Sequence, residues 1–588
     1  MKLLRFPPAL TPPAFRRLGL ADVAILCLVG GVIATVVAFA REFRAPFAPA
    51  VQIDLRFSAL PRYTLYSLSR GVIALVISYL FALSYGWLAA KSRVAERLLL
   101  PLLDILQSIP VLGFLPGLVL GLVSLFPTRN VGLELAAILM IFTAQAWNLA
   151  FSFYSSLKGL PEPLRDACQV AGWPPSRMFK QFEVPAAAQG LVWNGMLSMA
   201  GGWFFLMVNE AFQLGGRDYR LPGIGSYMSV ALDRGDVPAM VLAIVAMVTM
   251  IVCLDQLLWR PLVVWVEKFR LDESGGGGPP PSSWVLEFLR RARLPRRAAL
   301  LQRRAYLHAR RAARPLEAPL RAVSPVILRA PLRVFEHPVV RWIGAAFVAT
   351  AVAAAAAWGA WRLWLLIAQL GWREWGELLT AGALTFTRVM AAVLVSTIWA
   401  VPAGVVIGRS PRLAQALQPI IQVVASFPAP MVFPIVILLL EGIGIGLGIG
   451  SVALMVLAGQ WYILFNVISA VAAIPEQLKD ATTAFRLPHL ARWRVLYLPA
   501  AFPALVTGWV TAAGGAWNGS IVAEYIQVGG ALQTTRGLGS LISEATARAN
   551  FSLLAGGIAL MSLIVVGWNR VVWRSLMEWA RARFAIVQ

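Results

Sequence analysis

The feature that most constrains this chain is a series of apolar runs that are each about 20 residues or longer, such as 21–40 and 238–265. A helix of about 20 apolar residues spans about 30 Å of bilayer hydrocarbon. The whole chain is 59% hydrophobic and 14% charged, which leaves too little polar surface to cover a soluble core of 588 residues. The runs do not alternate between apolar and polar residues, as strands of a membrane barrel would. The sequence therefore predicts an all-α polytopic membrane protein.

We predict twelve transmembrane spans, arranged as two tandem modules of six. The first six are 21–40, 66–90, 98–125, 131–155, 187–212 and 238–265. The second six are 341–369, 380–408, 414–440, 451–473, 498–523 and 551–573. The predicted domains are an N-terminal segment 1–20, a first module 21–267, a linker 268–340, a second module 341–575 and a C-terminal segment 576–588.

The positive charge lies between the spans. The net charge is +24, and the stretch 268–341 alone holds sixteen Lys and Arg against five Asp and Glu. Loops rich in Lys and Arg stay in the cytoplasm, so the positive charge between the spans is explained by membrane orientation, and a nucleic-acid partner is disfavoured. Six spans separate each terminus from the linker, so both termini and the linker are expected on the cytoplasmic side. We interpret the linker as a solvated tether that rests on anionic lipid, and a specific regulatory role is the alternative.

The two modules are copies of one another. Pro161 and Pro185 are 24 residues apart, as are Pro475 and Pro499, at an offset of 314. The same offset relates further rare residues, which are Trp203 with Trp517, Glu210 with Glu524, and Gly223 with Gly537. Upstream, the stretch SIPVLGFLP (108–116) matches SFPAPMVFP (426–434) at an offset of 318. The chain is therefore a duplication. Because each copy has an even number of predicted spans, both copies enter the membrane in the same direction, as in the parallel repeats of some transporters.

One hydrophilic segment occurs in both modules between apolar runs. It reads LRDACQVAGWPPSRMFKQFEVPAA at 164–187 and LKDATTAFRLPHLARWRVLYLPAA at 478–501. Proline is tolerated in the first turn of a helix and glycine at its end, so each copy predicts a short helix and a turn along the membrane face. An ordinary connecting loop is the alternative, but two copies with the same spacing disfavour it.

These segments resemble the EAA loop of permease subunits of ATP-binding-cassette importers. That pattern is E-A-A, three residues, G, nine residues and I-x-L-P. The residues that match its key positions are Asp166, Ala167, Gly172 and Pro185 in the first copy and Asp480, Ala481, Arg486 and Pro499 in the second. Arginine replaces the glycine at Arg486, so the two loops are expected to bind their partner unequally. The resemblance covers about 500 residues.

The resemblance is nearest to the nitrate, sulfonate, taurine and bicarbonate group of permeases. It implies a permease for an inorganic or small organic anion in a bacterial inner membrane. It also implies two separate ATPase subunits docked on the two loops, and a periplasmic substrate-binding protein as a further candidate partner. The glycine run at 442–451 lacks the lysine of a phosphate loop. We therefore expect no enzymatic activity and no cofactor in this chain, with ATP and magnesium bound by the partner.

Polar residues inside predicted spans are candidates for the pathway or its gate, because they are costly in a membrane. We assign this role to Ser108, Gln145, Asn148, Asn209, Glu210, Ser426, Gln460, Asn466, Asn518, Ser520 and Glu524. For the two glutamates a structural or gating role, with arginine or backbone partners, is favoured over substrate contact. The three histidines are scattered and the three cysteines form no CxxC pair, so no metal site is expected.

An ion-gradient-driven secondary transporter is the alternative function. Duplicated six-span halves with a long central loop also occur in that class. The paired loops argue against it, and so does the lack of acidic or basic relays deep in several predicted spans. A membrane protein with only a structural role is a third hypothesis.

Overall fold

The computed structural model describes residues 20–47, 51–269, 283–291, 350, 353–354, 357–528 and 531–584. These residues are almost entirely helical, apart from two short β-hairpins. In the first half the helices and strands are α1 (Leu20–Arg44), α2 (Leu60–Lys91), α3 (Arg93–Ser108), α4 (Leu115–Leu125), α5 (Val131–Lys158), α6 (Glu162–Val170), α7 (Pro175–Met178), α8 (Val184–Glu210), β1 (Ala211–Leu214), β2 (Arg217–Arg220), α9 (Ile224–Asp233), α10 (Val237–Leu254), α11 (Arg260–Val266) and α12 (Trp284–Arg291).

The second half repeats the same order of elements. It contains a helical stretch at 357–367. The elements after it are α13 (Trp372–Gly408), α14 (Pro411–Ser426), α15 (Phe433–Gly442), α16 (Leu447–Ala472), α17 (Glu476–Ala484), α18 (His489–Arg492), α19 (Leu498–Ala523), β3 (Tyr525–Val528), β4 (Ala531–Thr534), α20 (Leu538–Ala547), α21 (Phe551–Trp568) and α22 (Arg574–Phe584). Each module thus ends in a long helix, a hairpin, a short helix and a further long helix.

The chain divides into two compact units. One comprises residues 38–281 and 363–588 and therefore holds the repeated elements of both modules. The other comprises residues 1–37 and 282–362, and its described parts are helical segments. All contacts discussed below lie within the larger unit.

Nine helices among the described residues are long and apolar enough to cross a membrane, and a tenth crossing is possible if one bent pair counts as a span. The bent pair is the predicted span 98–125, where the helices on either side of Pro110 meet at 84°. Helix α3 ends just before this proline, which has no N–H group to donate to a helix ladder.

Two other predicted spans also differ from a single continuous helix in the described residues. The predicted span 414–440 also divides, into α14 and the shorter apolar helix α15. Residues 341–349, 351–352 and 355–356 of the predicted span 341–369 lie outside the described residues, and the rest of this span is helical up to 367. The all-helical prediction is confirmed, and the count of twelve remains a prediction.

Equivalent elements of the two modules make equivalent contacts across the interface between the modules. Helix α3 packs against α21, and its counterpart α14 packs against α10. The short turn Val111–Phe114 contacts α19, and the matching turn Ala429–Met431 contacts α8. Such reciprocal contacts are the signature of a pseudo-two-fold arrangement.

Small residues bring the helices of each module close together. Gly86 and Gly404 are equivalent at an offset of 318. A Cβ added at Gly86 would lie 3.0 Å from the carbonyl oxygen of Ala150, and one added at Gly404 would lie 2.8 Å from a methyl group of Val467. Small residues at such crossings allow the close backbone approach that stabilises helix packing in membranes.

Candidate functional site

The repeated hydrophilic segments form exposed helices, as predicted. Helices α6 and α17 each begin directly after a proline, Pro161 or Pro475, and each has nine residues. Helix α6 has no buried residue, and its Val170 is 90% exposed. In the second copy Phe485 is 79% exposed at the equivalent end. An exposed apolar side chain beside carboxylates is a suitable surface for a protein partner.

The turn after each helix has the same left-handed backbone. Gly172 has φ +67° and Arg486 has φ +50°, and each amide donates a hydrogen bond of 2.9 Å back into its helix. Glycine adopts this conformation freely, whereas a side chain at Arg486 strains it. The backbone therefore follows the same path through both turns. The difference predicted at Arg486 is conformational strain in that turn.

The other predicted loop residues lie on or near this surface. Asp166, Ala167 and Asp480 are exposed, while Ala481, Pro185 and Pro499 are half-buried. The two prolines stand where the loop enters α8 and α19, just after a π-helical turn in each copy.

One copy of the loop is joined to the bundle by an ion pair between a buried glutamate and a partly exposed lysine. The carboxylate of Glu183 is 2% exposed and accepts hydrogen bonds from Lys91 Nζ at 2.5 Å and Trp87 Nε1 at 3.2 Å. The equivalent residue in the second copy is Tyr497, which has no carboxylate to offer. The two loops are therefore anchored to the bundle differently.

The predicted glutamate of the first module lies in a buried ion cluster at the other end of α8. Arg70 donates two hydrogen bonds to the carboxylate of Glu134, at 2.6 and 2.7 Å, and one of 2.7 Å to Glu210. All three side chains are 0% exposed. Glu210 also accepts from the amide of Gly225 at 2.7 Å and from the hydroxyl of Ser67 at 2.7 Å.

The second module has a smaller version of this cluster. Arg388 donates a hydrogen bond of 2.9 Å to Glu524, and the hydroxyl of Thr385 donates another of 2.8 Å. The amide of Gly539 donates to Glu524 at 2.9 Å. Arg388 is 14% exposed, and it also donates hydrogen bonds to the carbonyl of Arg536 and the hydroxyl of Thr535 rather than to a second carboxylate.

These clusters hold the turn after each hairpin against the bundle. The glutamate ends its long helix, and its carboxylate binds amides at the start of α9 or α20, where unpaired N–H groups favour an anion. The arginine also donates to a carbonyl just before that short helix, Pro222 at 2.9 Å or Arg536 at 2.9 Å. The arrangement ties four segments of one module together at one end of the bundle.

Sequence reasoning missed the arginines themselves. Arg70 and Arg388 are equivalent at the offset of 318, and each stands inside an apolar run. Ser67 and Thr385, three residues earlier, are equivalent in the same way. A charged residue retained at the same place in both copies was the signal that could have identified them.

A cavity of about 250 Å³ lies between the two modules. Its walls come from α3, α5 and α8 of the first module and from α14, α16, α19 and α21 of the second. No Asp, Glu, Lys, Arg or His of the described chain lines it, and ten aromatic residues do. The lining residues with a polar side chain, other than tryptophan, are Gln107, Thr143 and Asn148 from the first module and Gln422, Tyr462, Thr511, Asn518 and Asn569 from the second.

The lining breaks the two-fold symmetry of the fold. Trp147 and Trp461 are equivalent at the offset of 314, and both line the cavity. Asn148, however, is equivalent to Tyr462, and Asn518 is equivalent to Phe204. Most polar lining groups therefore belong to the second module.

Two of the predicted pathway residues line this cavity, Asn148 and Asn518. The Asn518 side chain also accepts a hydrogen bond of 2.9 Å from the amide of Val111 in the other module. Ser426 is buried and donates to the carbonyl of Gln422, beside a smaller pocket. Ser108 ends α3, next to the bend.

The remaining predicted residues pack inside single modules. Gln145 contacts the sulfur of Met199 at 3.4 Å, Asn466 donates to the carbonyl of Tyr462 at 2.8 Å, and Ser520 donates to the carbonyl of Trp517 at 2.8 Å. Gln460 is buried near them, and Asn209 is buried beside Glu210 with no hydrogen-bond partner for its side chain among the described residues. The structure thus divides the predicted set into cavity, cluster and packing residues.

No group of three or more metal-ligating side chains occurs in the part of the chain that the structure describes.

Comparison with known proteins identifies several relatives of this chain. The chain is 26% identical over 183 residues to the taurine transport system permease protein TauC of Escherichia coli, an alignment that covers 31% of this chain and 62% of that protein. It is 26% identical over 147 residues to the nitrate import permease protein NrtB of Leptolyngbya laminosa, which covers 25% of this chain and 51% of that protein. A third relative is the glycine betaine/proline betaine transport system permease protein ProW of Escherichia coli, 25% identical over 183 residues, or 31% of this chain and 49% of that protein. The chain spans about half to three-fifths of the length of these relatives.

The family of binding-protein-dependent transport system inner membrane components matches the chain twice, at residues 82–258 and 400–572. The two matches are 318 residues apart at their first residues, which agrees with the offset of the internal repeat. Together they cover more than half of the chain. The predicted duplication is confirmed, and the chain belongs to the family of binding-protein-dependent transport system inner membrane components, whose domain it carries twice.

Proposed function

We propose that this chain forms the complete membrane pathway of an ATP-driven importer, with both permease modules fused in one polypeptide. The observation that carries the proposal is the pair of exposed helices α6 and α17. They have equal length, equivalent positions and the same left-handed turn. Two such surfaces on one chain are suited to two copies of one ATPase subunit.

The coupling follows from how each loop is built. Each docking helix is followed by a short helix, a π-helical turn and then the long helix α8 or α19. A movement of the docked ATPases would therefore act directly on α8 and α19. Both helices contribute to the cavity between the modules. Closing and opening the ATPase pair would then rock the modules about the cavity, with ATP and magnesium bound by the partner.

We propose an inorganic or small organic anion as the substrate. The absence of acidic side chains from the described cavity lining supports an anion over a cation. The names of relatives, which refer to taurine, nitrate and bicarbonate transport, support the same class. A periplasmic substrate-binding protein is proposed as a further partner because the family depends on such proteins.

We further propose that both termini and the linker 268–340 face the cytoplasm, between modules 21–267 and 341–575. The positive charge of the linker supports this orientation. The docking helices would then face the cytoplasm, and the hairpins with their ion clusters would face the opposite side. In that orientation Glu210 and Glu524 would hold the outer ends of the modules closed.

An ion-gradient-driven transporter is less well supported. Such a protein needs ionisable groups that its pathway can load and release. Among the described residues, Arg70, Glu134, Glu210, Arg388 and Glu524 are engaged within their own modules, and no Asp, Glu, Lys, Arg or His lines the cavity.

Charge reversal on the docking helices tests the proposal. Asp166→Arg together with Asp480→Arg should abolish binding of the ATPase and substrate transport, while the chain remains folded because both side chains are exposed. Glu377→Lys is the matched control, since it reverses an exposed carboxylate near the start of α13, at the other end of that helix from the loops. Normal ATPase co-purification and transport by the double variant would refute the proposed function.

A further inference from the structure

We propose that the central cavity selects an organic anion with an aromatic or similarly flat apolar body, such as an arylsulfonate, rather than a small inorganic oxoanion. This inference rests on the proposed function and specifies its substrate class. It follows from three properties of the lining, which are its aromatic surface, its lack of charge and its unpartnered N–H donors.

The aromatic surface favours a flat apolar body. Ten of the lining residues are aromatic, and five of these are tryptophans. Ring faces stack on a flat guest in offset or edge-to-face geometry and also gain from the apolar area that is removed from water. The cavity of about 250 Å³ is large enough, because a cavity of about 150 Å³ holds a benzene molecule.

The lack of charge disfavours small inorganic anions. A compact ion such as nitrate loses strong hydration when it enters an apolar site, and an opposite charge normally offsets that loss. The described lining supplies no such charge. An anion that carries a large apolar body can compensate for dehydration through that body, and a small ion cannot.

The unpartnered polar groups favour an anionic head group over a cationic one. Within the described chain, three cavity-lining residues have a buried side-chain nitrogen without a hydrogen-bond partner, namely Trp147 Nε1, Gln422 Nε2 and Trp568 Nε1. All three are N–H donors. The oxygens of a sulfonate or carboxylate can accept from such donors, whereas an ammonium or trimethylammonium group has no acceptor.

The donors come from both modules and three different helices. Trp147 is on α5, Gln422 on α14 and Trp568 at the end of α21. Each ring or amide stands beside the cavity while its N–H group is closed off from solvent. In the proposed complex each of these side chains rotates so that its N–H group faces the guest.

Equilibrium dialysis of the purified full-length chain in lipid nanodiscs tests this inference, with empty nanodiscs subtracted. We expect benzenesulfonate to bind the unmodified chain about tenfold or more tightly than nitrate, taurine or phenyltrimethylammonium, as stacking and charge-assisted hydrogen bonds together would provide. These comparisons need no variant. Equal or tighter binding of nitrate, taurine or the aromatic cation would overturn the inference, and so would no binding of any probe.

Two substitutions then test the donors. Trp568→Phe with Gln422→Leu keeps most of the lining volume and removes two N–H groups, so the Kd for benzenesulfonate should rise about tenfold or more. Trp265→Phe makes the same ring change at a half-exposed position outside the cavity and should leave the Kd unchanged. An unchanged Kd in the double variant would overturn the assignment of the donors.

Failure of this inference is distinguishable from failure of the proposed function. If the ATPase docks on α6 and α17 but benzenesulfonate does not bind, the substrate class is wrong and the importer stands. If benzenesulfonate binds but charge reversal at Asp166 and Asp480 leaves ATPase docking intact, the inference about the cavity is supported and the proposed importer function is refuted.

Discussion

Replacing Arg70 with methionine should destabilise the protein far more than the same change at Arg388. Arg70 makes four hydrogen bonds, three of them to the two fully buried carboxylates of Glu134 and Glu210. Arg70→Met leaves both carboxylates buried without a positive charge, and breaking a buried ion pair from one side costs about 3–5 kcal/mol. Arg388→Met affects a partly exposed arginine and a single carboxylate. Since Glu524 keeps its hydroxyl and amide donors, we expect a loss of about 1–3 kcal/mol there.

The stabilities of the two arginine variants are best compared as the half-lives of the purified proteins at a fixed elevated temperature. Unfolding of large membrane proteins is often irreversible, so a rate is measured rather than an equilibrium. A difference of about 2 kcal/mol in barrier height corresponds to roughly a 30-fold difference in rate. The control is Arg70→Met combined with Glu134→Gln and Glu210→Gln, which removes all three charges and should recover much of the lost stability. Equal half-lives for the two arginine variants, or no recovery in the combined variant, would refute the reasoning.

Three further predictions concern the turns, the clusters and the orientation. Arg486→Gly should relieve the left-handed strain by about 1 kcal/mol and slow hydrogen exchange of the amides at 482–488, and faster exchange would contradict this. Gly537→Ala should lower thermal stability, because the added Cβ would collide with the carboxylate of Glu524. Gly448→Ala is the matched control and should be tolerated, because its added Cβ would lie 3.7 Å from the nearest atom. Alkaline phosphatase fused after residue 290 should be inactive if the linker is cytoplasmic, and activity would exclude that orientation.

The sequence predicts those features that depend on local signals or on the repeat. Pro161 and Pro475 mark the starts of the docking helices, because proline fits a first turn and its position repeats. Glu210 and Glu524 stand out because a carboxylate in an apolar run is rare and occurs twice. Both signals can be read along the chain without knowledge of its three-dimensional packing.

Other features depend on packing that no local signal reports. Glu134, the main partner of Arg70, is 64 residues away and has no carboxylate counterpart in the second module. The bend at Pro110 could be foreseen as an interruption, but an angle of 84° is set by how α3 and α4 pack on their neighbours. Likewise Trp147 and Trp568 are two of 22 tryptophans, and only their position between the modules distinguishes them from ordinary packing residues.

The unequal lining of the cavity has a consequence for how a guest can lie within it. In a pair of identical subunits each residue that lines the cavity occurs once in each subunit. A bound molecule then has two equivalent poses, and any substitution changes both sides of the cavity at once. In this fused chain the residue equivalent to Asn518 is Phe204, and the residue equivalent to Tyr462 is Asn148. If a guest binds as proposed, its two poses are not equivalent, because the two modules present different side chains to it. Natural selection can change the lining residues of either module separately. Recognition of the anionic head group and recognition of the apolar part of the guest can therefore evolve independently.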